Sequence, residues 1–269
     1  MTSGGRGLRI LTNSWQVVRD TPVLVAVMAA GVVASAVLTI GAGYLVLGGL
    51  PTAHDFEWPR NLLLLPLLGV GSYVTVFCNA VVIATAYERM AGRPATVADG
   101  FRRALACLPS LFWWTTLSLV VGVVMQVVAD RLKIGGPIVR WILGLAWAVG
   151  TFFVVPVIVV ERASVGTGIR RSAGLVRQRW GEATAGSLGL GVVGIVFLAV
   201  GGLGVGVLAT VSVTAAAVVG VGLLSATLAL GGALGGVFTA ALYGYATGGP
   251  TGPFALVDLE AGFRRKRGQ

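Results

Sequence analysis

The feature that most limits the possible folds of this sequence is a run of 75 residues, Ala183 to Val257, without aspartate, glutamate, lysine or arginine. About 18 apolar residues are enough for one membrane-spanning helix, because the hydrocarbon core is ~30 Å thick and a helix rises ~1.5 Å per residue. The run is therefore long enough for two spans. Ordinary soluble domains do not contain such a stretch, so the sequence predicts an integral membrane protein.

The composition of the whole chain supports the same class. Hydrophobic residues make up 56% of the 269 residues, charged residues only 11%, and the mean hydropathy is +0.89. Soluble domains carry roughly 25% charged residues. The net charge of +10 also suits a nucleic-acid-binding protein. Because the basic residues flank the apolar stretches, as topology signals do, we expect no nucleic-acid partner.

Six apolar stretches predict an all-α fold, a bundle of six transmembrane helices that forms a single domain over residues 1–269. The predicted spans are about 22–47, 62–87, 111–129, 141–160, 183–208 and 215–246, followed by a tail over 247–269. The turn between the last two spans is placed at Thr210 to Thr214, where β-branched and hydroxyl residues interrupt the glycines.

The basic residues predict the orientation of the bundle. With six spans, 16 of the 20 basic residues fall on one side, and only Arg60, Arg131, Lys133 and Arg140 fall on the other. Lysine and arginine near span ends accumulate on the cytoplasmic side. Both termini are therefore predicted to be cytoplasmic, and the spans form three hairpins.

A short motif of a glycine, an apolar residue and one or two arginines occurs four times. The copies begin at Gly7 (GLRILT), Gly100 (GFRRAL), Gly168 (GIRRSA) and Gly262 (GFRRKR). All four lie on the predicted cytoplasmic side, and the first three precede the first, third and fifth spans. This order predicts three copies of one unit, an interfacial helix followed by a span out and a span back. The alternative is a chance recurrence of helix starts with flanking arginines.

Apolar residues follow the motif glycines at helical spacing. They are Phe101, Ala104, Leu105 and Leu108 in one copy, and Ile169, Ala173, Val176 and Trp180 in another. Such a pattern is typical of an amphipathic helix in the membrane interface, with arginine side chains reaching lipid phosphates. The candidate phosphate contacts are Arg9, Arg102, Arg103, Arg170, Arg171, Arg264 and Arg265. Glu88 and Glu161 adjoin Arg89 and Arg162, and solvated ion pairs are expected there.

Polar residues are few within the predicted spans, and none has an ionisable residue at its middle. Asn79 and Gln126 are the candidate intramembrane polar contacts; a hydrogen bond to a neighbouring helix is the simplest role for Asn79, and a substrate contact is the alternative. Pro156 is expected to kink the fourth span. In the sixth span, Gly232, Gly236, Ala240 and Gly244 recur every fourth residue and predict a close helix-packing face. The partner helix is expected within the same chain.

Catalytic and metal-binding patterns were sought as well. His54 is the single histidine, and with Asp55 and Glu57 it forms a weak metal-site candidate. A solvated loop is the simpler interpretation. A catalytic set of nucleophile, histidine and acid does not arise within the spans. We therefore expect no cofactor, no metal site and no enzymatic activity.

Three stretches carry a resemblance to known proteins: VFCNAVVIATAYERMAG from Val76, TFFVVPVIVVE from Thr151 and RRSAGLVRQRWGE from Arg170. They resemble an uncharacterised family of bacterial, mostly actinobacterial, six-span membrane proteins. More distantly, they are similar to the membrane domain fused to some bacterial glycerophosphodiester phosphodiesterases. Ser187 departs from the asparagine expected in relatives. The resemblance implies a multi-pass protein of the bacterial plasma membrane, and it assigns no activity.

Two functional hypotheses follow. The favoured one is a non-enzymatic accessory or scaffold protein that contacts anionic membrane lipids, a protein partner or a second copy through its arginine-rich cytoplasmic face. The alternative is a transporter or channel for a lipid-like or small neutral solute, with a path near Asn79 and Pro156. Polar residues on one face of several spans would favour the alternative.

Overall fold

The computed structural model describes residues 19, 21–47, 61–131, 136–180 and 212–252. Within these ranges the chain forms helices and no strands, which confirms the predicted all-α class for this part of the protein. The helices are α1 (Val23–Leu47), α2 (Asn61–Met90), α3 (Val97–Ala106), α4 (Leu108–Arg131), α5 (Gly136–Gly150), α6 (Val154–Glu161), α7 (Val165–Trp180) and α8 (Val213–Thr247).

Five segments are long and apolar enough to cross a membrane: α1, α2, α4, α8, and α5 with α6 taken together. They coincide with five of the six predicted spans, so the protein is a membrane protein. Outside the described residues lie the predicted span 183–208, most of the tail 247–269, the GLRILT and GFRRKR motifs with Arg9, Arg264 and Arg265, the His54 loop, and Ser187. The last predicted turn is described only from Ser212, and α8 begins at Val213.

Helix α2 occupies the centre of the bundle. It packs against α1, α3, α4, α6 and α8. Its segment from Ala80 to Ala84 is almost fully buried, together with Val157 of α6 and Val237 of α8. The outer helices instead expose large apolar side chains, such as Val37 of α1 and Trp113 of α4. Apolar residues on the outside and small or branched residues in the centre are the distribution expected for a bundle surrounded by hydrocarbon.

The fourth predicted span is two helices, since α5 and α6 are separated by a turn at Thr151 to Phe153. Pro156 explains the position of this break, because proline lacks an N–H group and its ring crowds the carbonyl four residues earlier, that of Phe152. The Thr151 hydroxyl donates to the Trp147 carbonyl at 2.6 Å. The kink expected at Pro156 therefore takes the form of a break just before it.

Helix α3 has a complete N-terminal capping box. The Thr96 backbone N–H donates to the Asp99 carboxylate at 2.8 Å, and the Asp99 N–H donates to the Thr96 hydroxyl at 3.3 Å. Hydrogen bonds from the Thr96 hydroxyl and backbone, and then from Arg102, lower the pKa of Asp99 to about 2. The ionised carboxylate thus supports α3 above pH ~4, and this support is lost as the pH falls towards 2.

Replacing Thr96 with alanine is expected to fray the start of α3. The substitution removes the side-chain acceptor for the Asp99 N–H, and losing such a cap costs roughly 1 kcal/mol. Hydrogen exchange of the amides in α3 should therefore accelerate by about fivefold. Ser164→Ala, at a similarly exposed position before α7, is the control for α3. Unchanged exchange in Thr96→Ala would show that tertiary contacts alone hold this helix end.

Candidate functional site

One end of the bundle gathers the start of α1, the last turns of α2, α6 and α8, and the short helices α3 and α7. We call this the arginine-rich end. The Arg89 guanidinium donates to the Thr21 hydroxyl at 2.5 Å and to the Ala95 carbonyl at 2.9 Å. The Tyr243 hydroxyl of α8 donates to Glu161 of α6. These contacts place four chain segments that are distant in sequence next to one another.

The glycine of the GFRRAL motif packs directly against the preceding span. A Cβ atom on Gly100 would lie 2.1 Å from the Thr85 hydroxyl oxygen and 2.8 Å from the Val81 carbonyl oxygen. Only a glycine lets α3 approach α2 this closely. The buried face of α3 then continues with Ala104 and Cys107, so its buried positions follow the glycine at +4 and +7.

The GIRRSA motif has the same arrangement one unit later. A Cβ atom on Gly168 would lie 3.4 Å from Val154 and 3.5 Å from Ile158, both on α6. Ser172 and Leu175 continue the buried face of α7, again at +4 and +7. The two motifs therefore pack α3 against α2 and α7 against α6 in the same register, although the contact at Gly168 is looser than that at Gly100.

The second arginine of each motif pairs with a carboxylate at the end of the span on which its helix rests. Arg103 pairs with Glu88, which also receives Arg93. Arg171 donates to Glu161 at 2.8 Å. In each unit the glycine contacts the residues seven and three positions before that glutamate, which are Val81 and Thr85 or Val154 and Ile158. We call the glycine contact and the ion pair of each unit, taken together, the clamp.

The ion pairs in the two clamps differ from those expected from the sequence. Glu88 and Glu161 do not pair with the adjacent Arg89 and Arg162, but with arginines 15 and 10 residues later. Adjacent residues on a helix point about 100° apart, so neighbours in sequence rarely face each other. The signal that was available in the sequence is the recurrence of Glu-Arg before each Gly-apolar-Arg-Arg motif.

The first arginine of each motif faces away from the clamp. Arg102 is the most exposed of the paired arginines, with 78% of its side chain accessible, and its partner is Asp99 on the same helix. Arg170 is exposed and donates to the Gly166 carbonyl of its own helix at 3.3 Å. The four predicted phosphate contacts in the described residues thus separate into two clamp residues and two outward residues.

The apolar faces predicted for α3 and α7 differ from the buried faces. Phe101 and Leu105 are exposed, while Gly100 and Ala104 are buried. On α7, Ala173 is exposed and Ser172 is buried. Small residues contact the bundle because close approach of two backbones requires them. The larger apolar residues remain on the side that faces outwards.

Tyr243 connects the second clamp to the core. Its hydroxyl shares the Glu161 carboxylate with Arg171, and its ring lies 5.8 Å from that of Tyr87 and 6.2 Å from that of Phe153. The carboxylate also raises the pKa of Arg171, as Glu88 raises that of Arg93. Both guanidinium groups therefore stay charged at any physiological pH.

Ser172 holds the break between α5 and α6. Its hydroxyl accepts from the Phe153 N–H at 3.0 Å and donates to the Gly150 carbonyl at 2.9 Å. Both backbone groups lie at the turn, where the helical hydrogen-bond pattern is interrupted. The TFFVVP and RRSAG stretches that carry the family resemblance therefore meet at this residue. Sequence analysis did not identify Ser172, since a single serine in an amphipathic helix is not a distinctive signal.

A groove lies further along the bundle, between α1, α2 and α8. Its volume is about 810 Å³, and its polar lining consists of Ser35, Thr39, Thr75, Asn79 and Thr239. The predicted polar residue Asn79 is thus part of a larger set from three helices. Ser35, Thr39 and Thr239 were not predicted, because single hydroxyl residues are common in membrane helices.

The small residues of α8 face α1 and α2 within the same chain. A Cβ atom on Gly232 would lie 2.2 Å from the Met28 methyl carbon, and one on Gly236 would lie 2.8 Å from Val82. Ala240 is fully buried. Gly244 has a different role, since its Cβ would lie 1.9 Å from the Pro250 carbonyl oxygen in the segment that folds back after α8.

The other predicted residues lie apart from the arginine-rich end. Gln126 of α4 accepts from Arg140 of α5 at 2.5 Å, where both side chains are exposed. Cys78 and Cys107 are free and buried. Among the described residues, no three His, Cys, Asp or Glu side chains are grouped closely enough to hold a metal ion.

This architecture defines a polytopic α-helical membrane protein whose short basic helices are clamped to the ends of its spans. The chain belongs to a family of unknown function (DUF6159), which it matches over residues 61–254. That region includes both clamps and the whole of α8. No curated protein and no solved structure matches the chain.

Proposed function

We propose that the protein is a non-enzymatic accessory or scaffold protein of the bacterial plasma membrane that contacts anionic lipid headgroups through its arginine-rich end. The observation that carries this proposal is the division of arginines within the clamps. Arg103 and Arg171 fix the two helices, and this leaves Arg102 and Arg170 outward at the same end. Two short helices are thereby held at a span boundary with their charges directed away from the bundle.

The charge balance at this end supports the proposal. The carboxylates of Glu88, Asp99 and Glu161 are all bonded to arginines. Further arginines, including Arg162 and Arg177, are exposed and form no ion pair with a carboxylate of the described residues. Each basic residue near an anionic surface contributes about 1 kcal/mol. A clamped, net positive surface of this kind suits phosphatidylglycerol or another anionic lipid.

The full topology that we propose has six spans with both termini in the cytoplasm. Five spans are described, and the uncharged stretch over 183–208 supplies the sixth. The contacts among α2, α3, α6 and α7 place their arginines at one end, and a surplus of arginine favours the cytoplasmic side. The likeness to mostly actinobacterial six-span proteins and to phosphodiesterase membrane domains supports the bacterial assignment.

The double variant Arg102→Gln with Arg170→Gln is expected to weaken binding of anionic lipid. Two outward charges are lost while both clamps stay intact, so affinity for phosphatidylglycerol should fall by roughly 5- to 30-fold. Native mass spectrometry of the purified full-length protein, titrated with phosphatidylglycerol in a neutral detergent, measures this change.

The matched control for that experiment removes the same number of charges from elsewhere. The control variant is Arg131→Gln with Arg140→Gln, which changes the last residue of α4 and a residue near the start of α5. It should leave phosphatidylglycerol binding within about twofold of wild type. Equal losses in both double variants would show a general charge effect and would contradict the proposed site. Retained lipid binding with loss of a co-purifying protein would indicate a protein partner instead.

A second candidate function is a transporter or carrier for a lipid-like or small neutral solute. The groove between α1, α2 and α8 favours it, because polar residues from three spans line one cavity. An enzymatic role has no comparable support among the described residues, since the carboxylates at the arginine-rich end are occupied by arginines and tyrosine.

A further inference from the structure

The groove has the shape of a slot along α1. Its wall runs from Met28 to Ile40, and the 12 helical steps between these residues rise by ~18 Å. Each leaflet of a bilayer contributes roughly 15 Å of hydrocarbon. Since Met28 is seven residues from Thr21 at the arginine-rich end, the groove begins about 10 Å inside the bundle and extends away from that end.

The polar groups in this slot are uncharged, and some already have partners. The Ser35 hydroxyl donates to the Gly71 carbonyl at 2.9 Å, and the Thr75 hydroxyl donates to the same carbonyl at 3.0 Å. Within the part of the chain that the structure describes, the side chains of Asn79 and Thr239 form no hydrogen bond. Both lie in a mostly apolar groove inside the membrane, where an unsatisfied polar group is costly.

Close packing does not fill the groove at its centre. Gly235 lines it, and a Cβ atom at that position would meet none of the described residues within 4 Å. The neighbouring Gly236 contacts Val82 and the Asn79 oxygen. Helix α8 is therefore held against α2 on one side of the slot, while the side along Gly235 stays open.

We propose that this groove binds a single uncharged amphiphile of the membrane, with an acyl chain along the apolar wall and an ester or hydroxyl group at Asn79 and Thr239. The length of the slot matches a chain that spans one leaflet. Its volume of about 810 Å³ lies within the range of ~300–1,000 Å³ that small-molecule sites occupy. Uncharged donors and acceptors select a neutral polar group, because a buried charge would need a charged partner. This inference is independent of the proposed binding of anionic lipid at the other site.

A helix from a second copy fits the groove less well. The hydrogen-bonding side chains of Asn79 and Thr239 point to a ligand with its own polar atoms, whereas a helix satisfies its backbone groups internally. An acyl chain with an ester or hydroxyl group meets this requirement.

Photocrosslinking in vesicles tests the proposal. The full-length protein is reconstituted in phosphatidylcholine vesicles with a small fraction of diacylglycerol whose acyl chain carries a diazirine. Labels are expected on peptides of α1 and α8 that contain Met28 and Leu228, and excess unlabelled diacylglycerol should compete with them. Gly235→Leu places a branched side chain in the slot, where the first carbon meets no described atom within 4 Å, and it should reduce labelling to roughly a tenth.

Gly231→Leu is the matched control, because it lies one turn earlier on α8, does not line the groove and also has open space around its Cβ. Its labelling should equal that of wild type. Asn79→Leu provides a second variant should Gly235→Leu not fold. It removes the proposed hydrogen bond between Asn79 and the ligand, and this loss should reduce labelling about fivefold.

Three results would overturn the proposal. Equal labelling of the two glycine variants would show that the groove is not the site. Labels spread evenly over the outward side chains of α4 would show contact with bulk lipid only. Crosslinks between protein chains that Gly235→Leu abolishes would show that a second copy occupies the groove.

Discussion

Gly100→Ala is expected to destabilise the protein, although alanine is normally the better residue within a helix. The new methyl group would lie 2.1 Å from the Thr85 hydroxyl oxygen and 2.8 Å from the Val81 carbonyl oxygen. Thr85 has no room to turn away, since it is fully buried and its hydroxyl donates to the same Val81 carbonyl at 2.8 Å. Helix α3 must therefore move off α2 as a unit.

The expected cost follows from two opposing terms. Overpacking of a well-packed contact costs ~1–3 kcal/mol, and contact with a backbone oxygen lies at the upper end of that range. Alanine recovers about 1 kcal/mol of helix propensity relative to glycine. We therefore expect a net destabilisation of about 2 kcal/mol, together with faster hydrogen exchange throughout α3. Thermal unfolding in detergent and hydrogen-exchange mass spectrometry measure the two effects.

Two other glycines give controls with the opposite sign. Gly174 of α7 has nothing within 4 Å of its Cβ position, so Gly174→Ala should be neutral or stabilise by up to ~1 kcal/mol. Gly168 is the counterpart of Gly100 in the second clamp, but its nearest contacts are 3.4 Å or longer, and alanine fits there. If Gly100→Ala were as stable as these two variants, the close approach of α3 to α2 would be refuted.

The spans were predictable from the sequence because the energetic term that defines them is large and local. Long apolar stretches have few stable locations other than a bilayer, and five of the six predicted spans coincide with helical segments long enough to cross a membrane, one of them broken by a turn. The break at Thr151 to Phe153 was partly predictable, since Pro156 disturbs any helix. Its stabilisation by Ser172, from a helix 19 residues away, depends on tertiary contacts that no local pattern encodes.

The candidate site was less predictable. The repeated Gly-apolar-Arg-Arg motif lies on the short helices α3 and α7. The spacing of Phe101, Ala104 and Leu105 was interpreted as a face towards the membrane interface, and it did not indicate that Gly100 contacts the bundle. Hydropathy scales give the highest values to large apolar residues, whereas close packing between two helices in a membrane requires small ones. The groove escaped prediction for another reason. Its polar lining comes from one or two hydroxyl or amide residues on each of three helices, and only the fold brings them together.

Ser172→Ala is expected to have the second large effect. The substitution removes one hydroxyl that is both acceptor for the Phe153 N–H and donor to the Gly150 carbonyl. Ser172 and Phe153 are fully buried, so no water molecule replaces the hydroxyl at the Phe153 N–H, whereas Gly150 is only partly buried. Removing the hydrogen-bond partner of a buried group costs about 1–3 kcal/mol. We therefore expect a loss of roughly 1–3 kcal/mol in the free energy of unfolding.

The position of this loss distinguishes it from ordinary destabilisation. Hydrogen exchange should increase first at the turn Thr151 to Phe153 and at the end of α5, while α1 and α8 keep their protection until global unfolding. Ser164→Ala is the control, because that serine is exposed and its hydroxyl contacts only Thr167 at the start of α7. Ser172→Thr keeps the hydroxyl and should recover part of the stability. A uniform increase in exchange, or no difference between Ser172→Ala and Ser164→Ala, would show that Ser172 does not hold the break between α5 and α6.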